Sequence, residues 1–347
     1  MSAARLTLDL AALAANHAIL RAAAPAAVVA PVVKADGYGL GAGLISGRLW
    51  DEGARDFFVA RLSEGLALRG ALGPGRPARI FVLDGLSGAD AGVLVDASLT
   101  PVLNSAEDIA RWRGAGAGCG IHIDTGMNRL GIDIDDARAA ADLKVELVMS
   151  HLACAADPAS PRNERQLSLF REARARFPNA PASLAASAGI YLGPGYHFDM
   201  VRPGISLYGG GPREVPDPAF KAVARLEAPI LQVRDLSPGD AVGYGDGFVA
   251  DRAMRIGLLA AGYADGLLRR AMGRASAWIG AAPAPILSVS MDLLAVDLTR
   301  SPGAKPGDLV ELLGPNAHVD DLAAATGTVA HECLVRLSAR AERVGLG

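Results

Sequence analysis

Short apolar segments recur eight times between residues 28 and 202 at intervals of roughly 25 residues, and this rhythm restricts the fold more than any other feature of the chain. Most of these segments are followed by one rich in Ala, Leu, Arg and Glu, which predicts a helix. The predicted strands are 28–33, 57–60, 80–83, 99–103, 119–124, 145–150, 182–187 and 198–202. Eight strand-then-helix units predict an α/β fold, a (β/α)8 barrel of the TIM type, although an open doubly wound sheet would give a similar rhythm.

The pattern changes after about residue 220, where strands shorten and turn residues crowd together. The turn segments are SPGD at 237–240, GDG at 245–247, APAP at 282–285 and SPGAKPGD at 301–308. These closely spaced turns predict a separate, mostly antiparallel β domain with helices only over 320–326 and 332–340.

Asp9 is a predicted cap for a helix that continues to about residue 23. The predicted domains are a barrel over 9–220 and a β domain over 221–347.

Composition and net charge exclude several classes of protein. The chain of 347 residues is 51% hydrophobic and 20% charged with a net charge of −3, so no basic surface predicts nucleic-acid binding. The N-terminal segment and the apolar runs are too short to predict a signal peptide or a membrane span. Three widely spaced cysteines, Cys119, Cys154 and Cys333, indicate reduced thiols in the cytoplasm and no metal motif.

The segment VVKADGYGLGAG, residues 32–43, places a lysine where the first barrel strand ends. Burial there would lower the pKa of the Lys34 ammonium and make its amine a nucleophile able to form a Schiff base. A lysine at a strand end can instead extend its ammonium to solvent. Another alternative is a dinucleotide fingerprint formed by Gly37, Gly39 and Ala42, in an NADP version because Arg61 stands where an acidic residue is expected.

Seven motifs, in this order, resemble those of the alanine racemases, which are pyridoxal-phosphate (PLP) enzymes built on a barrel. The motifs are VVKADGYGLGAG (32–43), IDTGMNRLG (123–131), SHLAC (150–154), VRPGISLYGG (201–210), VGYGD (242–246), GYADG (262–266) and SMD (290–292). The resemblance implies the barrel independently of the strand rhythm. It also implies that the first strand, 5–8, returns to the β domain, so that residues 1–8 belong there.

In this resemblance Lys34 matches the cofactor lysine and would also be the base on one face of the substrate. Four other positions match residues of the phosphate cradle: Tyr38, Ser187, Gly204 and Ile205. Backbone N–H groups and hydroxyls are the donors that a phosphate needs. Ser187 could instead cap a helix, and Gly204 could serve a plain turn.

Arg202 matches the family arginine at the cofactor's ring nitrogen. A permanently charged guanidinium disfavours protonation of that nitrogen, which suits racemisation better than transamination. The alternative is a buried structural arginine paired with Asp199. His151 would stack on or hydrogen-bond the Arg202 and cofactor-ring system, unless it is a satisfied core histidine. Arg129 matches the arginine that contacts the cofactor oxygen and the substrate carboxylate, and Asp124 is expected to hold its loop.

Tyr244 matches the family's second acid–base residue, on the substrate face opposite Lys34. Because Tyr244 lies in the predicted β domain, the resemblance implies a head-to-tail homodimer in which the tyrosine reaches the lysine of the other subunit. Met291 would offer its backbone N–H to the substrate carboxylate across that interface. Three further positions match residues at the narrow entrance of the site: Tyr263, Arg269 and Asp292, of which Asp292 could instead cap a strand end.

Four positions depart from the family pattern. His122 stands where many members have a lysine, often carbamylated, so Arg129 must be oriented another way, by His122 itself or by a bound anion. Ala186 and Ala156 replace an asparagine and an aspartate, and Gly345 replaces a tyrosine that binds phosphate and narrows the entrance. These departures bear on cofactor affinity and on the size of the substrate.

The predicted activity is the PLP-dependent interconversion of L-alanine and D-alanine by Lys34 and Tyr244, supplying D-alanine for peptidoglycan. A racemase of similar build with a broader or different amino-acid choice is the first alternative. A PLP decarboxylase would need an acid near the ring nitrogen, which the VRPG motif argues against. A PLP-binding carrier barrel would lack the β domain. The sequence does not determine substrate range or distinguish a biosynthetic from a catabolic role.

Overall fold

The computed structural model describes residues 4–245, 247–337 and 340–346. The chain forms two compact units, one of residues 14–207 and the other of the residues before 14 together with those after 207. The first unit holds the predicted barrel strands, and the second holds the predicted β domain. The domain bounds expected from the sequence, 9–220 and 221–347 with strand 1–8, remain a prediction.

Eight short parallel strands form the barrel within residues 28–202. They are Val28–Val29, Asp56–Val59, Arg79–Val82, Leu99–Leu103, Cys119–His122, Val145–Met149, Ala182–Ser183 and Met200–Val201. The six strands from the second to the seventh pair in chain order in one parallel sheet, and the first strand pairs with the eighth.

Backbone hydrogen bonds join these two sheets at both edges. A parallel bridge links Val32 to Phe58, and a second links Ala186 to Arg202. The eight strands therefore close into a ring, and the predicted (β/α)8 barrel is confirmed. The first strand is shorter than predicted, because the chain pairs regularly only over Val28–Val29 before it becomes irregular.

The strands are apolar without alternation because both of their faces are covered. All four residues of Asp56–Val59 are buried. The Phe58 and Phe81 rings of adjacent strands stack with their centroids 4.7 Å apart. Burying such a ring contributes on the order of 2–3 kcal/mol relative to exposure. Continuous burial is typical of parallel strands between layers, which explains why apolar runs located them in the sequence.

Helices alternate with the barrel strands as predicted. The α-helices are Leu10–Ala23, Ala42–Asp51, Leu62–Leu72, Ala91–Asp96, Ala106–Trp112, Pro161–Ala175 and Ser187–Ile190, with 3-10 turns at Asp136–Ala140, Pro194–Tyr196 and Ile205–Tyr208. The segment Lys34–Tyr38 forms a short left-handed turn. The predicted cap at Asp9 is confirmed, since its carboxylate accepts a hydrogen bond from the Ala12 N–H at 2.8 Å. Ser105 likewise caps its helix by accepting from the Asp108 N–H.

The long strand Ala224–Leu236 organises the second unit. It pairs antiparallel with three neighbours, Arg5–Asp9, Leu309–Leu313 and Met254–Leu259, because its two halves meet different partners. Arg5–Asp9 also pairs in parallel with Glu342–Leu346, so the first strand of the chain lies in the β domain. The other strands are Ala241–Val242, Phe248–Val249, Ser276–Ile279, Ala282–Val289 and Leu294–Asp297.

Two helices follow in the second unit, Val319–Thr326 and Ala330–Val335. The first agrees with the predicted helix over 320–326. The second ends at Val335 rather than at residue 340, and residues 338 and 339 lie outside the described part of the chain. None of the helices within the described ranges has the length and apolar character needed to cross a bilayer.

Candidate active site

Lys34 lies two residues after Val32, which extends the first barrel strand by a parallel bridge to Phe58, and it begins a short left-handed turn. The Val33 N–H before it donates to the Phe58 carbonyl at 2.8 Å, which fixes the backbone against the next strand. Burial lowers the pKa of the Lys34 ammonium, and the neighbouring Arg129 guanidinium lowers it further, while Glu64 and Asp84 act in the opposite direction. A lysine with a lowered pKa holds more of its amine in the neutral, nucleophilic form.

The turn after Lys34 has the left-handed backbone conformation over four consecutive residues. The φ angles are 52° at Ala35, 53° at Asp36, 63° at Gly37 and 58° at Tyr38. Three of these residues carry a side chain, and each such residue costs about 1–2 kcal/mol in this region. Strain of this kind persists only where surrounding contacts hold it, and it concentrates at functional sites.

Tyr38 and Gly204, two residues of the predicted phosphate cradle, lie in close contact. A Cβ atom added to Gly204 would lie 2.1 Å from the Tyr38 hydroxyl oxygen, so only glycine leaves room for this contact. Burial raises the pKa of Tyr38, which keeps its hydroxyl protonated and able to donate a hydrogen bond. Tyr38, Gly204 and Ile205 are all buried.

Ser187 completes this cradle from the neighbouring strand end. Its hydroxyl oxygen accepts hydrogen bonds from the Gly204 N–H at 3.0 Å and the Ser206 N–H at 3.3 Å. The Ser206 hydroxyl is buried and has no hydrogen-bond partner among the described residues. Hydroxyls and backbone amides gathered around a glycine, with one donor unsatisfied, fit a phosphate group.

Arg202 lies buried in the same unit, and its guanidinium is held by uncharged groups. It donates to the Ser183 hydroxyl and the Ser150 carbonyl, and it lies 3.5 Å from Nδ1 of His151. The expected alternative pairing with Asp199 is wrong, because Asp199 pairs with Arg174 instead. Burial lowers the pKa of Arg202 to about 9, which still leaves it charged at neutral pH.

His151 and Arg129 belong to the electrostatic surroundings of Lys34. The pKa of His151 is well below its usual value, because of burial first and then of Arg202, Arg129 and Lys34. His151 is therefore neutral at pH 7. The Arg129 side chain is exposed in the single chain.

Asp124 holds the loop that carries Arg129. Its carboxylate accepts from the N–H groups of Gly126, Met127 and Asn128, which confirms the expectation that it orders this loop.

His122, the departure from the family lysine, is buried and paired with Asn104. Its Nδ1 lies 2.8 Å from the Asn104 Oδ1. The Asn104 amide nitrogen donates to the carbonyls of Leu83 and Val102, so its oxygen faces His122 and accepts from Nδ1–H. Burial, with Arg202 and Arg129 nearby, lowers the pKa of His122 to about 4. The position is therefore occupied by a neutral imidazole that is protonated at Nδ1 and carries its acceptor lone pair on Nε2.

The remaining predicted residues lie in the second unit, and all of them are exposed there. They are Tyr244, Tyr263, Arg269, Met291 and Asp292. Tyr244 has 84% of its surface exposed and Met291 53%. The Asp292 carboxylate accepts a hydrogen bond from the Arg340 guanidinium at 2.6 Å. Gly345 pairs with Leu8 between strands.

The structure also shows residues that the sequence did not single out. Asn104 fixes the tautomer of His122, Ser183 holds Arg202, and Glu64 contacts the backbone beside Lys34. Arg340 joins the buried Asp265 to Asp292 and so connects two of the motif loops. Each contact links residues far apart in the chain, so no local sequence pattern indicates it.

Comparison with known proteins identifies the family of the chain. Two family models match: alanine racemase, N-terminal domain, over residues 8–212, and alanine racemase, C-terminal domain, over residues 223–345. The chain is 44% identical to an alanine racemase of Jannaschia sp. strain CCS1, over 99% of each chain. It is 43% identical to a biosynthetic alanine racemase of Agrobacterium fabrum, over 98% of this chain and 93% of that protein.

A solved structure gives the same result for the fold. The crystal structure of alanine racemase from Bartonella henselae with covalently bound pyridoxal phosphate superposes with a TM-score of 0.92 at 32% identity, covering 100% of both chains. The fold, the two family models and the full-length identity agree, and the chain belongs to the alanine racemase family.

Proposed function

We propose that the protein interconverts L-alanine and D-alanine with pyridoxal phosphate bound at Lys34. The observation that carries this proposal is the position of Lys34 at a barrel strand's carboxyl end, with a lowered pKa and Arg129 beside it. Family membership supports the reaction, and the covalently bound pyridoxal phosphate of the Bartonella protein supports the cofactor. Catalytic residues of such barrels lie at this end of the strands.

The residues present fit pyridoxal phosphate. The Tyr38 hydroxyl, the Ser187 hydroxyl and the backbone of Gly204 and Ile205 would hold the phosphate, and the unsatisfied Ser206 hydroxyl offers another donor. When bound, the cofactor supplies an electron-withdrawing ring that makes the substrate's α-proton acidic.

Arg202 would face the ring nitrogen and donate a hydrogen bond to it, with His151 beside the guanidinium. The pKa of Arg202, about 9, leaves it with a proton that it does not release at neutral pH. An arginine there withholds a proton from the ring nitrogen and limits how far the ring draws charge from the α-carbon. A decarboxylase would need an acid at the ring nitrogen, and the presence of Arg202 at the matched position disfavours that alternative.

Two groups of the chain would move the α-proton. The Lys34 amine, whose lowered pKa favours its neutral form, would take or return the proton on one face of the α-carbon. The Tyr244 hydroxyl would do so on the other face. Arg129 would bind the substrate carboxylate through its guanidinium fork, and the Met291 N–H would donate to the same carboxylate.

The exposure of the site residues in the second unit supports a homodimer with shared sites. Tyr244 is 84% exposed in the single chain. A tyrosine that transfers a proton to a bound substrate would be largely covered in the assembled site. Met291, Tyr263, Arg269 and Asp292 are exposed as well, and we infer that a second copy of the chain covers these residues. Large exposed apolar side chains grouped with polar ones mark interaction surfaces.

The activity is tested by chiral chromatography of D-alanine formed from L-alanine and PLP, using the wild type, Lys34→Ala and Tyr244→Phe. We expect the wild type to form D-alanine and both variants to lose nearly all activity. A wild type that binds PLP through Lys34 but forms no D-alanine would refute alanine as the substrate. A panel of larger amino acids would then test the broader racemase, which the Gly345 departure supports.

The shared site is tested by mixing the two inactive variants. If Tyr244 of one subunit serves Lys34 of the other, half of the reassembled dimers contain one intact site, and about a quarter of wild-type activity returns. A tyrosine that served its own chain would leave the mixture inactive. A role in supplying D-alanine to peptidoglycan is tested by growth of a D-alanine auxotroph that expresses the chain, with Lys34→Ala as control.

A further inference from the structure

Glu64 connects the residue after Lys34 to the end of the next barrel strand. Its Oε1 atom accepts from the Ala35 N–H at 2.9 Å. Its Oε2 atom accepts from the Ala60 N–H at 2.7 Å and from the Arg61 N–H at 3.3 Å. Glu64 lies in the first turn of the helix Leu62–Leu72, so one carboxylate serves both that helix start and the turn after Lys34.

Lys34 is thereby held on both sides by the same strand–helix unit. The Val33 N–H donates to the carbonyl of Phe58 in the strand, and the Ala35 N–H donates to Glu64 in the following helix. The peptide group after Lys34 includes the Ala35 N–H. The peptide group before Lys34 includes the Val33 carbonyl, which accepts from the Gly37 N–H at 2.9 Å, so neither group can rotate without breaking a hydrogen bond. The direction in which the lysine side chain leaves the backbone is therefore fixed.

The Glu64 contact also holds a backbone conformation that the chain would otherwise avoid. Ala35 has φ 52° and ψ 48°, in the left-handed region that residues with a Cβ disfavour. Asp36 restrains the far end of the same turn, where its carboxylate accepts from the Ala42 N–H at 2.8 Å. Carboxylates at both ends of the turn supply strong acceptors, since hydrogen bonds to an ionised group are stronger than neutral ones.

We propose that Glu64 is a positioning residue. By fixing the Ala35 peptide, it holds the Lys34 amine in the orientation needed to react with the aldehyde of PLP. This inference rests on the proposed role of Lys34 as the cofactor lysine. Both carboxylate oxygens are needed, because Oε1 holds Ala35 and Oε2 holds the strand end. A glutamine offers only one acceptor oxygen, and an aspartate is one methylene shorter, so neither can maintain both contacts.

Besides holding the backbone, Glu64 affects the pKa of Lys34 through its charge, and the two effects can be measured separately. The Glu64 carboxylate raises the pKa of Lys34, opposing the larger effects of burial and of Arg129. Removing the charge would lower the pKa of the amine further and make it neutral at lower pH. In a profile of the reaction rate of Lys34 against pH, loss of positioning therefore lowers the plateau at high pH, whereas loss of charge shifts the midpoint.

The experiment follows cofactor capture by the full chain after hydroxylamine has removed bound PLP. The Lys34 amine condenses with the aldehyde of PLP with loss of one water. Borohydride then delivers hydride to the carbon of the C=N bond, water supplies the proton on nitrogen, and a stable secondary amine results. The rate of labelling at Lys34 is measured by mass spectrometry across pH for the wild type, Glu64→Gln and Glu64→Asp. Asp90→Ala is the matched control, because Asp90 caps another barrel helix without touching the Lys34 turn.

We expect Glu64→Gln to label at least about tenfold more slowly at its high-pH plateau, with the midpoint shifted to lower pH. Glu64→Asp should lower the plateau with a smaller midpoint shift, since it keeps the charge. Asp90→Ala should match the wild type in both quantities even where its thermal stability is lower.

The inference is overturned if both Glu64 variants show the same plateau rate and the same pH midpoint of labelling as the wild type. If Glu64→Gln does not fold, the same comparison with Glu64→Asp decides it. A wild type that is not labelled at Lys34 would instead refute the proposed function, which keeps the two failures distinct.

Discussion

Nδ1 of His122 lies 2.8 Å from Oδ1 of Asn104, inside the barrel and beside the charges of Arg202 and Arg129. The Asn104 amide is itself anchored by two backbone carbonyls, so the pair has one orientation and one tautomer. Where the family pattern has a lysine, this chain has a neutral ring. With its pKa near 4, the imidazole stays uncharged and adds no repulsion toward the two arginines.

Replacing His122 tests this pairing. His122→Phe keeps a ring but leaves the buried Asn104 oxygen without a donor, so we expect the free energy of unfolding to fall by about 1–3 kcal/mol. His122→Gln can still donate from its amide and should lose less. Denaturant unfolding at neutral pH measures both, and equal losses in the two variants would show that the hydrogen bond does not stabilise the barrel.

The contact between Tyr38 and Gly204 makes a second prediction. Gly204→Ala would place a Cβ 2.1 Å from the Tyr38 hydroxyl, so the tyrosine must leave its place in the cradle. We expect PLP affinity to fall by about tenfold or more, which corresponds to roughly 1.4 kcal/mol. Fluorescence titration of the cofactor-free chain with PLP measures the change.

Gly70→Ala is the matched control for this glycine. A Cβ at Gly70 would meet nothing within 4 Å, and the residue lies in the helix Leu62–Leu72. The control should bind PLP like the wild type and gain up to about 1 kcal/mol in stability from helix propensity. Unchanged PLP affinity in Gly204→Ala would mean that Tyr38 does not take part in binding the phosphate.

The sequence predicted the barrel because each parallel strand is buried on both faces and therefore appears as an apolar run. It failed where long-range contacts decide the outcome. The sequence leaves open a pairing of Arg202 with Asp199 as the alternative to a cofactor role. Only the structure excludes it, because Asp199 pairs with Arg174 on the helix Pro161–Ala175. The bond between His122 and Asn104 spans two strands and leaves no local pattern.

The left-handed turn after Lys34 could not be predicted from the sequence either, because Ala35 has no preference for it and Glu64 imposes it from another strand–helix unit.

The strain in this turn gives a third prediction. Ala35→Gly should change stability by less than about 0.5 kcal/mol, because relief of the φ 52° strain offsets the greater chain entropy of glycine. Ala67→Gly, in the regular helix Leu62–Leu72, should cost about 1 kcal/mol.

Urea unfolding of the two alanine variants makes the comparison. The prediction depends on the difference between them, so errors common to both largely cancel. A loss at Ala35 as large as that at Ala67 would mean that the left-handed conformation carries no strain for alanine.

His17 makes the last prediction, on pH and stability. It is buried, its Nε2 has no hydrogen-bond partner among the described residues, and its pKa is lowered to about 4, chiefly by burial and then by Arg21. The unfolded chain binds a proton at this histidine below its ordinary pKa of 6.5, whereas the folded chain does not until about pH 4. The histidine therefore reduces stability as pH falls through that window and has no such effect above it.

His17→Leu removes the titrating group while filling a similar volume. Between about pH 7.5 and pH 5 we expect this variant to lose up to about 2 kcal/mol less stability than the wild type, since each pKa unit corresponds to about 1.4 kcal/mol. Urea unfolding at both pH values measures the difference, with Ala67→Gly as a variant of lower stability whose pH dependence should equal that of the wild type. If His17→Leu loses as much stability as the wild type between the two pH values, the buried imidazole is not what makes the fold sensitive to acid in this range.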